Sequence, residues 1–236
     1  MPLVLRVDVD KPYGNSNFYN SVRSKLSEDY WYPNFSLFKY NYLAQLDEFL
    51  NYCNKVSIKG YFYFRICTIP DENIKKLLKN GGHKAGMHAE NTRNYDTFKN
   101  EYEKLLDLSN IKLDSFSKHG SGKIKLGKHH YAPYEPDKYI EWAKKLNISF
   151  PFGNDICSCA EDLKITDDYY PKIFWIEREY RNEHFKNLSK LIEVAKKEIV
   201  PILIHPSNFN STAAVRNDFK ELIQLAKEHN IDWVLL

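Results

Sequence analysis

The sequence predicts an α/β fold, a single-domain distorted (β/α) barrel with about seven parallel strands. Short apolar runs alternate with segments of helical periodicity almost from end to end of the 236 residues. No Gly/Pro/Ser-rich linker divides them, so one domain over 1–236 is the simplest account. Acidic or imidazole side chains recur where the apolar runs end. Such ends converge on one site only if the strands are parallel and a helix returns the chain each time.

The apolar runs predict strands at Leu3–Val9, Gly60–Ile66, Lys84–His88, Leu113–Ser117, Ile148–Phe152, Ile199–His205 and Asp232–Leu235. Helical periodicity predicts helices at Tyr42–Lys55, Asp71–Asn80, Tyr95–Leu108, Pro136–Leu146, Leu188–Lys197 and Ala214–His229. Start and stop signals support two of them: Asp71 begins one helix and Gly81-Gly82 follows its end, and Pro136 opens another.

An open doubly wound sheet is the alternative architecture. No Gly-x-Gly-x-x-Gly or Gly-x-x-x-x-Gly-Lys-Ser/Thr segment follows the first strand, so a nucleotide-binding version lacks its main support. Two segments do not fit either scheme. Tyr13–Lys39 is long and aromatic, and Ser158–Arg181 contains the apolar run Ile173-Phe174-Trp175-Ile176 without an evident helix. Either segment could cover the open end of a barrel.

Charge and cysteine usage limit the possible partners and the cellular compartment. The net charge of +3 is spread over Lys-rich helix faces with interleaved acids, which is typical of a solvated surface and not of a nucleic-acid interface. The N-terminus lacks a signal-peptide pattern and no run is long enough to span a membrane. The four cysteines form no C-x-x-C pair. We expect a reduced, cytoplasmic protein without nucleic-acid or membrane partners, and a homo-oligomer is left open.

The first strand places two carboxylates on one face. Side chains alternate along an extended strand, so Arg6, Asp8 and Asp10 point to the same side. Two unpaired carboxylates repel each other unless a cation lies between them, and Arg6 or a bound metal would supply it. The alternative is that Asp10 simply begins a turn, since Asp10-Lys11-Pro12-Tyr13-Gly14 has turn composition.

Two histidines also end predicted strands. His88 follows an apolar run and would form a pair of metal ligands with the Asp of the first strand, because zinc sites combine imidazole nitrogen with carboxylate oxygen. His205 ends Ile199-Val200-Pro201-Ile202-Leu203-Ile204, and an imidazole there suits general acid work. Taken alone, His88 is more often a structural histidine.

These motifs, in this order, resemble the polysaccharide deacetylase family, also called the NodB-homology domain or carbohydrate esterase family four. The resemblance extends from Leu3 to about Asn208. It is clearest in Gly81-Gly82-His83-Lys84-Ala85-Gly86-Met87-His88, with Arg6-Val7-Asp8-Val9-Asp10 as the first motif and Leu203-Ile204-His205 as the last. The resemblance implies a distorted β/α barrel that removes acetyl groups from amino sugars with the help of a metal.

The resemblance also implies a role for each matching residue. Asp8 would be the general base, Asp10 and His88 the metal ligands, and His205 the acid that protonates the leaving amine. Asp155 would orient that histidine, and a backbone N–H near His119 would help to hold the oxyanion. The cofactor would be one divalent ion, with zinc as the expected metal, which polarises the acyl carbonyl.

Three positions depart from the family pattern. Thr92 stands where the family has a further metal-binding histidine, so the third ligand is open between Glu90, His119 and water. The arginine that steadies the base is replaced by Lys118, with Arg6 as an alternative partner. An extra residue also separates the two aspartates of the first motif.

Together these observations predict a hydrolase that removes an N-acetyl or N-formyl group from an amino sugar, acting on a soluble or nucleotide-linked sugar. We assign Arg6, Arg65, Lys118 and His119 to substrate binding, although a structural ion pair is an equal alternative for Arg65, and we expect Lys128-His129-His130 to be solvated. Two alternatives stay open. One is a relative that binds a sugar or a partner without catalysis, and the other is a metal hydrolase acting on a phosphoester or on another amide or ester.

Overall fold

The computed structural model describes residues 2–10, 43–120, 130–166 and 169–236 of the chain. The segment Tyr13–Lys39, considered above as a cover for the barrel, and most of the possible turn after Asp10 lie outside the described residues.

Within these ranges the sheet is parallel throughout and curls into a half-barrel surrounded by helices, which confirms the predicted distorted (β/α) barrel. The strand order is β4-β3-β2-β1-β7-β6-β5, and β8 pairs with Leu3 and Val4 of β1. The strands are β1 Leu3–Val9, β2 Gly60–Phe64, β3 Lys84–Ala89, β4 Ser115–Lys118, β5 Phe152–Ile156, β6 Tyr170–Trp175, β7 Val200–Ile204 and β8 Trp233–Val234.

The helices of the described ranges are α1 Ala44–Lys55, α2 Glu72–Gly81, α3 Tyr95–Ser109, α4 Pro136–Leu146, α5 Leu188–Ala195, α6 Pro206–Ser211 and α7 Ala213–Glu228. Local signals set several boundaries. The Asp71 carboxylate accepts the N–H of Ile74 at the start of α2, and Gly82 ends that helix at φ +64°. None of these helices is long and apolar enough to cross a membrane.

Two strands differ from the sequence prediction. The strand predicted at Ile148–Phe152 begins only at Phe152, because the earlier residues contribute just a bridge between Ser149 and Ser115. The run around Ile173, which was left unassigned above, is part of β6. The partner strand decides both boundaries: β5 pairs with β6 through a register shift that no local pattern reveals.

The two faces of β1 have different surroundings, and this difference positions the site. Leu3, Leu5, Val7 and Val9 pack outward in the main core against the helices. Val4 points into the barrel, in a plug of apolar side chains with Tyr61, Tyr63, Phe152, Tyr170, Ile173 and Leu203. Each fully buried side chain of this size contributes about 1.5–3 kcal/mol to folding. Arg6 and Asp8 follow Val4 on the inner face, so they lie above this plug, toward the carboxyl end of the barrel.

Candidate active site

Arg6 fixes the position of Asp8. The guanidinium donates through Nε to Asp8 Oδ1 at 2.9 Å and through NH2 to Asp8 Oδ2 at 2.7 Å. Its NH1 donates to the carbonyl of Gly153 at 2.7 Å and its NH2 also donates to Asn154 Oδ1 at 2.9 Å. Arg6 is therefore the cation that was expected beside the carboxylates of the first strand. Because these bonds occupy the guanidinium, the structure does not favour the assignment of Arg6 to substrate binding.

Asp10, His88 and His119 form a buried cluster, called here the inner group. One ligand atom from each residue lies within 4.8 Å of those of the other two, so the group could bind a metal ion. Asp10 Oδ1 is buried and has no hydrogen-bond partner among the described residues. A buried carboxylate oxygen without a donor is costly unless a cation faces it.

His88 is held in the orientation and protonation state that a ligand needs. Its Nδ1 lies 2.8 Å from Ser117 Oγ, which leaves Nε2 facing the site at 3.5 Å from Asp8 Oδ2. Burial lowers the pKa of His88 well below its ordinary value, helped by the positive charges of Arg6 and Arg65 and opposed by Asp10. The imidazole is therefore neutral at neutral pH, the form that coordinates metals.

His119 supplies the third member of the inner group from the end of β4. Its backbone N–H donates to the carbonyl of Ala89 at 2.8 Å, and its ring centre lies 4.9 Å from that of His88. This places the side chain beside Asp10 and His88, in the ligand position left open above. We therefore no longer assign His119 to substrate binding.

Thr92, at the position of the family's second histidine, faces away from this group. It is fully buried, and its hydroxyl lies 3.3 Å from the hydroxyl of Tyr139 on α4. A neighbouring strand, and not the segment after β3, thus completes the set. One carboxylate and two imidazoles form a donor set typical of catalytic zinc sites, so the residues present fit a divalent ion.

His205 follows β7, which pairs with β1 on the side away from β2, and its ring lies beside Asp10 of the inner group. Its Nδ1 lies 2.8 Å from Glu177 Oε1, and its Nε2 lies 3.8 Å from Asp10 Oδ2. Burial alone would lower the pKa of His205, but the carboxylates of Asp10, Glu177 and Asp8 outweigh it and raise the pKa to about 9. The ring is therefore protonated at neutral pH.

Glu177, and not Asp155, is the carboxylate that orients His205. Glu177 is fully buried and also accepts the His205 backbone N–H at 3.2 Å and the Asn208 Nδ2–H at 3.1 Å. Asp155 lies on β5 with an exposed side chain, because Phe152 and Asn154 face the inside of the barrel and side chains alternate along the strand. The sequence did contain a signal for Glu177: it is an acid that directly follows the apolar run Ile173-Phe174-Trp175-Ile176.

Arg65 and Lys118, both assigned above to substrate binding, contact other parts of the protein instead, and Arg65 forms the structural ion pair that was the alternative for it. Arg65 is buried, with NH1 donating to the carbonyl of Asp10 at 2.7 Å and NH2 to Glu90 Oε1 at 2.5 Å. Lys118 projects from the outer face of β4, and its Nζ donates to the carbonyl of His119 at 2.6 Å. Burial lowers the pKa of Lys118 to about 8. Strand alternation explains this placement, since Ser117 and Lys118 must point to opposite faces.

His130 is the one member of Lys128-His129-His130 that the structure describes. It is half-buried, and its ring stands edge-on to His119 with the centres 5.3 Å apart. The expectation of a solvated side chain is wrong for this residue.

No protein-family model and no curated protein matches the chain. Among solved structures, a probable polysaccharide deacetylase from Pseudomonas aeruginosa PAO1 is similar with a TM-score of 0.55 and 11% identity, covering 99% of this chain and 87% of that one. The chain shares its fold with polysaccharide deacetylases. A 4-alpha-glucanotransferase from Thermococcus litoralis is similar with a TM-score of 0.51 and 11% identity, over 98% of this chain and 37% of that one. Since differently named enzymes share the fold, the reaction has to be argued from the side chains.

Proposed function

We propose that the protein is a metal-dependent hydrolase that removes an N-acetyl or N-formyl group from an amino sugar or a related carbohydrate. One observation carries the proposal: a carboxylate fixed by Arg6, three side chains that could bind a cation, and an imidazole with a raised pKa lie together after β1, β3, β4 and β7. We further propose that it works in the cytoplasm on a soluble or nucleotide-linked sugar.

Asp10, His88 and His119 would hold the cation. A divalent ion bound there would polarise the acyl carbonyl and lower the pKa of a water molecule, and zinc is the metal that best matches the donor set.

Asp8 is the proposed general base. Arg6 holds both of its oxygens on the inner face, and Asp8 Oδ2 is 3.5 Å from the His88 nitrogen that faces the inner group. The carboxylate therefore borders the place where water and acyl group meet. It takes one proton from the water molecule that adds to the acyl carbon.

His205 is the proposed general acid. Glu177 accepts its Nδ1–H, so the Nε2–H faces Asp10 and the inner group, where the acyl group would bind. When the carbon–nitrogen bond breaks, this proton goes to the amine nitrogen. The products are the carboxylate and the free amino sugar.

An aromatic surface beside His205 supports a carbohydrate substrate. The ring of Trp175 lies 5.8 Å from that of His205, and the partly exposed Tyr180 lies 4.7 Å from Trp175. Rings of this kind present a flat apolar body with a polar edge, which suits the mixed surface of a sugar.

The test is a substrate panel with the cobalt- or zinc-loaded protein. N-acetyl and N-formyl amino sugars, free and nucleotide-linked, are compared with phosphorylated sugars, and acetate, formate and phosphate are measured. We expect acetate or formate release that a chelator stops and added metal restores. Asp8→Asn should lower turnover about 10²–10⁴-fold, whereas Asp107→Asn, at an exposed position on α3, is the matched control.

Two results would contradict the proposal. Phosphate release without acyl release would favour the phosphoester hydrolase, and tight binding of an acetylated sugar without turnover in any metal would favour the binding protein.

A further inference from the structure

A second set of metal-ligating side chains lies next to the inner group. Glu90, His119 and His130 each offer a ligand atom within 4.8 Å of the other two, and we call this set the outer group. It contains no residue from 121–129, which lie outside the described residues.

Backbone hydrogen bonds hold the outer group in place. The His119 N–H donates to the carbonyl of Ala89 at 2.8 Å, directly before Glu90. The N–H of Tyr131, directly after His130, donates to the carbonyl of Glu90 at 2.9 Å. The three ligands therefore come from segments that are tied to each other, and their proximity does not depend on side-chain rotamers alone.

The two groups share His119. A neutral imidazole has one N–H and one free lone pair, so it coordinates a single cation. The inner and the outer group therefore compete for this side chain.

Burial and charge differ between the two groups. Asp10, His88 and His119 are all buried, whereas Glu90 and His130 are half-buried and closer to solvent. Glu90 already gives one oxygen to Arg65, at 2.5 Å, and this cation reduces the negative charge that an ion would experience there. Asp10 Oδ1 has no such partner among the described residues. The inner group should bind the tighter of the two.

We propose that Glu90, His119 and His130 form an outer cation position, nearer to solvent, that takes a divalent ion when the inner group is disabled. One carboxylate and two imidazoles suit ions such as zinc, cobalt and nickel. The inference concerns metal binding alone and does not depend on the proposed reaction.

The test is a cobalt titration of four proteins, followed by calorimetry and visible absorption: wild type, Asp10→Asn, Asp10→Asn/His130→Ala and Asp10→Asn/His229→Ala. His229 is an exposed histidine after α7 and serves as the matched control. We expect wild type to bind one ion. Asp10→Asn should still bind one ion, with a cobalt affinity about tenfold or more lower. Adding His130→Ala should lower that affinity about tenfold further, whereas adding His229→Ala should leave it unchanged.

The outer position is refuted if wild type binds cobalt and Asp10→Asn binds none, or if His130→Ala changes nothing in the Asp10→Asn background. Wild type that binds no divalent ion at all would contradict the proposed function as well. The same comparison in a His88→Gln background gives a second way to disable the inner group, and circular dichroism checks that each variant is folded.

Discussion

The carboxyl end of the barrel has two halves that hold their functional side chains in different ways. In the first half, β1 to β4, each strand pairs with its neighbour in a continuous register, and Asp8, Asp10, His88 and His119 belong to these strands or to the residue directly after them. In the second half, β5 to β7, the β5–β6 register shifts, and β6 meets β7 through only two residue pairs.

His205, the proposed proton donor, follows β7, which pairs with β1 in a continuous register, but the carboxylate that orients it lies outside the strands and is held by side chains. Glu177 lies in a turn after β6, and this turn is braced by Arg178 and Arg181, which both bind Asp218 on α7. Strand pairing fixes several ligands at once, so a change that disturbs the strands displaces these ligands together. A carboxylate in a braced turn can be changed alone, so the two halves should respond differently to substitution.

The largest expected effect is a separation of binding from turnover. Asp10→Asn should remove both tight cobalt binding and turnover. His205→Gln should lower turnover by about 10²–10⁴-fold, the size of a general acid's contribution, and should not weaken cobalt binding, because it removes a positive charge beside Asp10. Calorimetric cobalt titration and the acyl-release assay measure the two quantities in parallel. If His205→Gln also abolishes cobalt binding, the division into a cation half and a proton-donor half is wrong.

The next effect concerns Glu177. Glu177→Gln should lower kcat about 10–100-fold through misorientation of the imidazole, with KM little changed. Because the Glu177 carboxylate raises the pKa of His205, its removal lowers that pKa. An acid works only while protonated, so the alkaline fall of kcat should move to lower pH. Asp155→Asn is the comparison, and an equal loss in both variants would contradict the assignment of Glu177.

Cation binding should also change the proton donor directly. His205 Nε2 is 3.8 Å from Asp10 Oδ2, and this carboxylate helps to raise the His205 pKa to about 9. A cation on Asp10 offsets that charge, so the pKa should fall by about one unit or more, and cation binding should release protons at a pH just below the metal-free pKa of about 9. Nitrogen chemical shifts of the ring, followed against pH with and without zinc, measure it. In Asp10→Asn, zinc should change the His205 pKa much less. If zinc does not change this pKa in wild type, the cation and His205 do not share Asp10.

The same difference between the halves explains what the sequence could predict. Alternation along β1 predicted the common face of Arg6, Asp8 and Asp10, since a regular strand has a fixed period. The β5 boundary was four residues off because it is set by pairing with β6, where a side chain on Gly153 would stand 2.2 Å from the Pro171 carbonyl oxygen. No pattern within 148–156 contains that contact. Glu177 was missed for a related reason, since its strand was not recognised.

The smallest effect tests whether the first half lacks a ligand at all. Thr92 stands where the motif resemblance would place a second histidine, yet it is fully buried against Tyr139 and turned toward α4. Thr92→His should leave cobalt affinity unchanged and destabilise the fold by about 1–3 kcal/mol, because the larger ring overpacks this position. Urea unfolding and cobalt titration check both, with Thr92→Val as a variant that keeps the shape and removes the hydroxyl. Tighter cobalt binding in Thr92→His would show that the new ring reaches the inner group and that His119 does not already fill the third place. If His119, after β4, supplies the third ligand, then Thr92→His should lower the stability and leave the cobalt affinity unchanged.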